Sequence, residues 1–224
     1  MRIFITGDSF AHQNHNEHCW PNILAKKLNA NITLKACQGQ PLYYCYKQLK
    51  KITLDYDFYL ILVSGYPRLY INDEIGINLL NFETNKPDRV LHTIPKDLRM
   101  SLTHASEQYV EHLMNLDYLH DMHIFTLEKI KFMLSDKQHL LYPCFYPRLS
   151  ILKTKYFHLS EITQYEDSFI DSREIFSSQI HRLNHLYPDN NEILAEHFSQ
   201  LITTGSSNIT LNDFKPPPKE FWKK

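Results

Sequence analysis

Glycine is scarce in this chain, at five residues in 224. Cysteine is scarcer still: Cys19, Cys37, Cys45 and Cys144, with no C-x-x-C pair and no dense spacing. That pattern excludes a disulfide framework and a cysteine-rich zinc module, and it points to free thiols in a reducing compartment. Long apolar runs are absent. Nothing approaches the roughly 20 residues that span a bilayer, and Gly7-Asp8 breaks the first apolar run after four residues, so no signal-peptide core is read. A cytoplasmic protein without a membrane span is expected. Charge of one sign is also missing: 24 Lys+Arg face 25 Asp+Glu. Without a basic excess, nucleic acid is not an expected partner.

What is plentiful is apolar and aromatic surface. Hydrophobic residues make up 43% of the chain, with fourteen tyrosines, enough for the core of one domain and too much for a disordered chain. A single domain over 1–212 is expected. A Pro- and Lys-rich tail follows at 213–224, where Lys215-Pro216-Pro217-Pro218-Lys219 favours extended chain.

The apolar pattern alternates between strands and helices. Arg2-Ile3-Phe4-Ile5-Thr6 reads as a buried strand, and Trp20-Pro21 opens a helix to about Leu28. Asn31 to Cys37 alternates as a second strand, and Pro41 to Leu49 is helical. Asp57 to Val63 is apolar on both faces, as a central parallel strand should be. Residues 69–104 form an irregular insertion, with 81–89 a loop. Ala105 to about Leu134 is helical in one or two pieces. His139 to Tyr146 is the fourth strand, which Pro143 places near an edge or an end. Tyr156-Phe157-His158-Leu159 is a short further element. From Asp189 an amphipathic helix turns Ile193, Leu194, Ala195, Phe198 and Leu201 inward, with Asp189 or Asn190 suited to cap it. Strands alternating with helices predict an α/β fold with a mostly parallel sheet.

Three strands end in small polar residues: Gly7-Asp8-Ser9, Gln38-Gly39-Gln40 and Ser64-Gly65-Tyr66-Pro67-Arg68. Open α/β sheets bind ligands at those carboxyl ends. Gly-Asp-Ser alone is equally a turn or a cap. A serine hydroxyl attacks a carbonyl only when a base removes its proton, and an imidazole suits that task near neutral pH. His185, in the loop before the last helix, is a candidate base. Histidines also recur at His12, His15 and His18, and His120 and His123 share a helix face. These lack the fixed scaffold of a zinc site and the paired Glu-x-x-His of bundle sites, so no metal or other cofactor is expected.

The order strand–Gly-Asp-Ser-Phe, strand–Gly, strand–Gly, loop–His–helix resembles the SGNH/GDSL hydrolase family. The order of elements covers most of the chain. Trp20-Pro21 and Asn184-His185-Leu186 resemble small phage and bacterial members. The resemblance implies a flavodoxin-like three-layer α/β/α sandwich and a serine esterase or acyl hydrolase. It gives Ser9 as nucleophile, His185 as base, and the backbone N–H groups of Ser9 and Gly39 as oxyanion donors. The implied substrate is an acyl ester, such as an acyl group on a carbohydrate or lipid. Two positions depart from the family. Its third block carries an asparagine that completes the oxyanion hole, where this chain has Ser64-Gly65-Tyr66-Pro67; Ser64 or Arg68, with Asp8, are the accessory candidates. An aspartate usually lies three residues before the histidine, where this chain has Arg182; Asp189 and Asp171 are the alternatives. These departures also allow a second reading: a catalytically degenerate protein that keeps the fold and binds a ligand or partner.

Overall fold

In the computed structural model, residues 1–12, 16–65, 67–79, 95–145, 156–168 and 185–216 are described. The elements in chain order are β1 (Arg2–Gly7), α1 (Trp20–Leu28), β2 (Asn31–Ala36), α2 (Leu42–Lys51), β3 (Phe58–Val63), β4 (Arg68–Tyr70), β5 (Gly76–Asn78), α3 (Lys96–His112), α4 (Leu116–Met133), β6 (His139–Pro143), α5 (Leu159–Asp167) and α6 (Pro188–Thr204). A 3-10 turn at Leu211–Asp213 follows.

Four strands form one parallel sheet in the order β2-β1-β3-β6. This is the flavodoxin-like arrangement, with β1 next to the point where the strand order reverses. Every residue of β3 is buried, because β3 lies between two neighbours with helices on both faces. Side chains alternate across the sheet with a period of two. Ile3, Ile5, Phe58, Leu60 and Leu62 share one core with Trp20 and Leu24 of α1, Leu159 and Ile162 of α5, and Leu194 and Phe198 of α6. Phe4, Tyr59, Ile61 and Val63 share the other with Leu42, Cys45 and Leu49 of α2 and Leu127 and Ile130 of α4. Burial of each large apolar side chain contributes about 1.5–3 kcal/mol, so the two cores fix strand register and helix placement together. The fold is α/β with three layers.

The structure refines several expectations. The fourth strand stops at Pro143, not Tyr146. It is an edge strand, and its last residue lacks an N–H, although the Cys144 N–H still donates to Val63 O at 3.0 Å. Tyr156 to His158 is no strand but the lead-in to α5. Residues 68–78 hold a short antiparallel hairpin, and α3 begins at Lys96; the loop at 81–89 lies outside the described residues. Neither Asp189 nor Asn190 caps α6. Its N-cap is Tyr187, with Pro188 in the first turn. Chain beyond the 3-10 turn still docks: Phe214 is buried and meets Phe157 edge-on at 5.2 Å.

Candidate active site

Gly7 ends β1 at a close approach. A Cβ there would lie 2.7 Å from Cβ of Leu62 on β3. Glycine is needed for this contact with the neighbouring strand, and its φ is not positive. The next residue, Asp8, is fully buried. Its Oδ1 accepts the Phe10 N–H at 3.1 Å, its carbonyl accepts the Ala11 N–H at 3.1 Å, and the Ser9 carbonyl accepts the His12 N–H at 3.4 Å. These bonds wind residues 8–12 into a tight turn. Ser9 sits half-buried on it, at the carboxyl end of an inner strand. Trp20 holds the turn from behind: its indole N–H donates to Phe10 O at 2.7 Å, and its ring packs on Phe198.

Arg68 closes the opposite side. Its Nη1 donates to Asp8 Oδ2 at 3.0 Å and to Gln40 O at 3.1 Å. Both side chains of the ion pair are withdrawn from water, at 8% and 0% exposure. Arg68 opens β4, and the hairpin that carries it is clamped to the strand-end turns. Gln40 Nε2 donates to Asn72 O, Lys47 donates to the Tyr70 hydroxyl, and Lys51 pairs with Asp73. Gly76 lets the hairpin backbone press on the turn at Gly39, where an added Cβ would lie 2.5 Å from Gly39 O. Gly39 itself has φ +72°, the left-handed region glycine adopts without strain.

Aromatic rings join these groups to His185. The Arg68 guanidinium lies 4.6 Å from the Phe145 ring centre. Phe145 meets Phe10 edge-on at 5.8 Å, and the Phe10 and His185 rings are 4.9 Å apart. The histidine of the last loop therefore lies against the residue that follows Ser9. His185 has φ +69°, a left-handed conformation that only a few per cent of non-glycine residues adopt, asparagine, aspartate and histidine more often than others. Beyond it, Leu186 and Tyr187 are buried, and Asn191 Nδ2 donates to both of their carbonyls at 3.2 Å.

At the end of β3 the Ser64 hydroxyl is buried, with no hydrogen-bond partner among the described residues. His123 of α4 is hydrogen-bonded to the Ser64 backbone, and burial, with a smaller push from Arg68, drives its pKa down to about 4. It is neutral near pH 7. Burial also raises the Cys45 thiol to about 12 and the Cys144 thiol well above its usual value, so neither is a thiolate nucleophile at neutral pH.

Asp8, Arg68 and Gln40 thus form one buried cluster edged by the half-buried Phe145, with Ser9, Gly39, Ser64 and His185 around it. Arg182 and Asp171 lie outside the described residues. Asp189 is over half exposed and pairs with Lys215 at 3.7 Å, away from any part in the cluster. Two contributors carry no sequence signal for a place in the site: Gln40, which offers a carbonyl, and Phe145, which follows the strand; Trp20 marks a helix start in the sequence, and its indole N–H bond to Phe10 is seen only in the structure. His12 and His18 are described and His15 is not. Among the described residues, no three His, Cys, Asp or Glu side chains are placed to hold a metal ion. No helix among them is long and apolar enough to cross a membrane.

No protein-family model matches the chain, and no curated protein does. Among solved structures it is similar to one described as a "putative lipolytic protein of G-D-S-L family" from Desulfitobacterium hafniense DCB-2. The identity is 13% and the TM-score 0.35, over 89% of this chain and 98% of that one.

Proposed function

We propose that this chain is a serine-dependent acyl-ester hydrolase. The observation that carries the reading is the contact between the His185 and Phe10 rings, beside a half-buried serine at the mouth of the sheet. In this reading His185, neutral, takes the Ser9 hydroxyl proton as the oxygen attacks the ester carbonyl. The N–H groups of Ser9 and Gly39 hold the oxyanion. His185 then passes the proton to the leaving alkoxide, and the alcohol departs. Water then attacks the acyl-serine carbonyl as His185 takes its proton; the acyl–Oγ bond breaks, His185 returns that proton to Ser9 Oγ, and the acid departs.

Arg68 stands in for the missing asparagine. Its Nη1 is taken by Asp8 and Gln40, while no described residue accepts from the N–H groups of Nε and Nη2. One oxyanion donor is worth roughly 10²–10³ in rate, so the substitution matters. Substrates of the reading are acyl esters of carbohydrates or lipids. The four cysteines are free, which suits the cytoplasm. The second reading, a binding protein without turnover, is favoured by the missing asparagine and by Arg182.

Reaction with a fluorophosphonate probe separates the two. The hydrolase reading expects wild type to label and Ser9→Ala not to label. A folded wild type that stays unlabelled favours the binding protein.

A further inference from the structure

We propose that Glu166 is the carboxylate that positions His185, a task related hydrolases give to an aspartate three residues before the histidine. The inference rests on the hydrolase reading for its catalytic meaning and on the hydrogen bonds of Glu166 for its geometry. Glu166 lies in the last turn of α5 and is fully buried. A carboxylate so withdrawn from water is costly unless hydrogen bonds hold it. Its Oε1 accepts the Tyr187 N–H at 3.1 Å and the Asn190 side-chain N–H at 2.6 Å. Both donors belong to the segment that directly follows His185. The carboxylate also faces the amino end of α6, where the helix dipole favours negative charge.

The bonds extend outward. Asn190 donates to Lys215 O at 2.9 Å and accepts the Lys215 N–H at 2.8 Å. Glu166, Asn190 and the docked chain at Lys215 therefore grip the start of α6 from two sides. His185 needs such a grip: a left-handed backbone at a non-glycine residue costs about 1–3 kcal/mol and persists only where its surroundings hold it. The backbone that carries His185 is thus tied, two residues on, to the Glu166 carboxylate. Its charge favours the imidazolium that forms when Ser9 gives up its proton. Asp189 is the nearest carboxylate in sequence, but it is exposed and turned to Lys215.

Two measurements on the full chain test this: the titration of His185, followed by its Cε1–H resonance, and the rate of fluorophosphonate labelling. Glu166→Gln keeps size and the Oε1 acceptor and removes the charge. It is expected to lower the His185 midpoint by about 1 pH unit and to slow labelling roughly 10- to 100-fold, with the fold retained. An unchanged His185 midpoint in folded Glu166→Gln overturns the proposal. If that variant does not fold, Glu166→Asp, which keeps the charge but draws it back from the Tyr187 N–H, is expected to lower the midpoint by less than about 1 pH unit; an unchanged midpoint there overturns it too. A wild type that does not label, with the midpoint still lowered in Glu166→Gln, removes the hydrolase reading and leaves the coupling of Glu166 to His185 standing.

Discussion

Asp8 and Arg68 put opposite charges where water does not reach, and that makes each depend on the other. Removing one partner of a buried pair leaves the other charged and unsolvated, at about 3–5 kcal/mol. Arg68→Met is therefore expected to lower unfolding free energy by about that amount in urea denaturation. A loss below about 1 kcal/mol, the range of exposed pairs, would mean that Asp8 finds another partner. The residues of this cluster were unevenly legible in the sequence. Ser9 and His185 stood out because their chemistry is specific and their order matched a known pattern. Arg68 drew notice only as a neighbour of an absent asparagine; its pairing with Asp8 spans 60 positions and no local signal encodes it. Gly7 looked like a turn residue, whereas its need arises from Leu62 on another strand.

Among the elements, the hairpin β4–β5 decides how the site is closed. It carries its own small core, where Ile75, Ile77 and Leu79 meet Leu69 and, from the α3–α4 side, Leu102 and Tyr109. Gly76 sets how near it comes to Gly39. Gly76→Ala would force a Cβ into backbone atoms 2.5–2.8 Å away, so the hairpin must lift from the Gly39 turn. The expected outcome is destabilisation of about 1–3 kcal/mol together with slower probe labelling. Unchanged labelling at lower stability would separate the hairpin from the site. Three-residue strands show no alternation to detect, which is why this region read as irregular. The long strands and helices were legible because burial on one or both faces imposes a period on them. α5 carries little signal for a related reason: at nine residues it is short, and its inward side chains Leu159 and Ile162 pack in a core shared with other elements.

At the scale of the molecule, two buried histidines tie stability to pH. His197 bridges the Tyr142 hydroxyl and the Ser207 hydroxyl at 3.1 and 2.9 Å, and burial pushes its pKa from 6.5 down to about 4. His123, facing Ser64, Arg68 and His120, is pushed from 6.5 down to about 4 as well. Between those values the unfolded chain binds protons that the fold does not. Stability therefore falls as pH drops from 6.5 toward 4, by up to about 1.4 kcal/mol per pH unit for each histidine. Denaturant titrations across that window check this, and His197→Phe is expected to flatten the slope. A slope that stays the same would assign the acid sensitivity elsewhere. The three-layer architecture was legible because two-sided burial of β3 and the strand–helix alternation leave few other topologies. The hold on His185 was not, since it runs from α5 through side-chain and backbone bonds to α6 and the chain at Lys215.

The central claim is that Ser9 is an activated nucleophile with His185 as its base. The most direct measurement is mass mapping of the fluorophosphonate adduct on wild type, beside Ser9→Ala, His185→Ala and His12→Ala. The account predicts one adduct, on Ser9, lost in the first two variants and kept in the third. An adduct elsewhere, or none on a folded wild type, would contradict it.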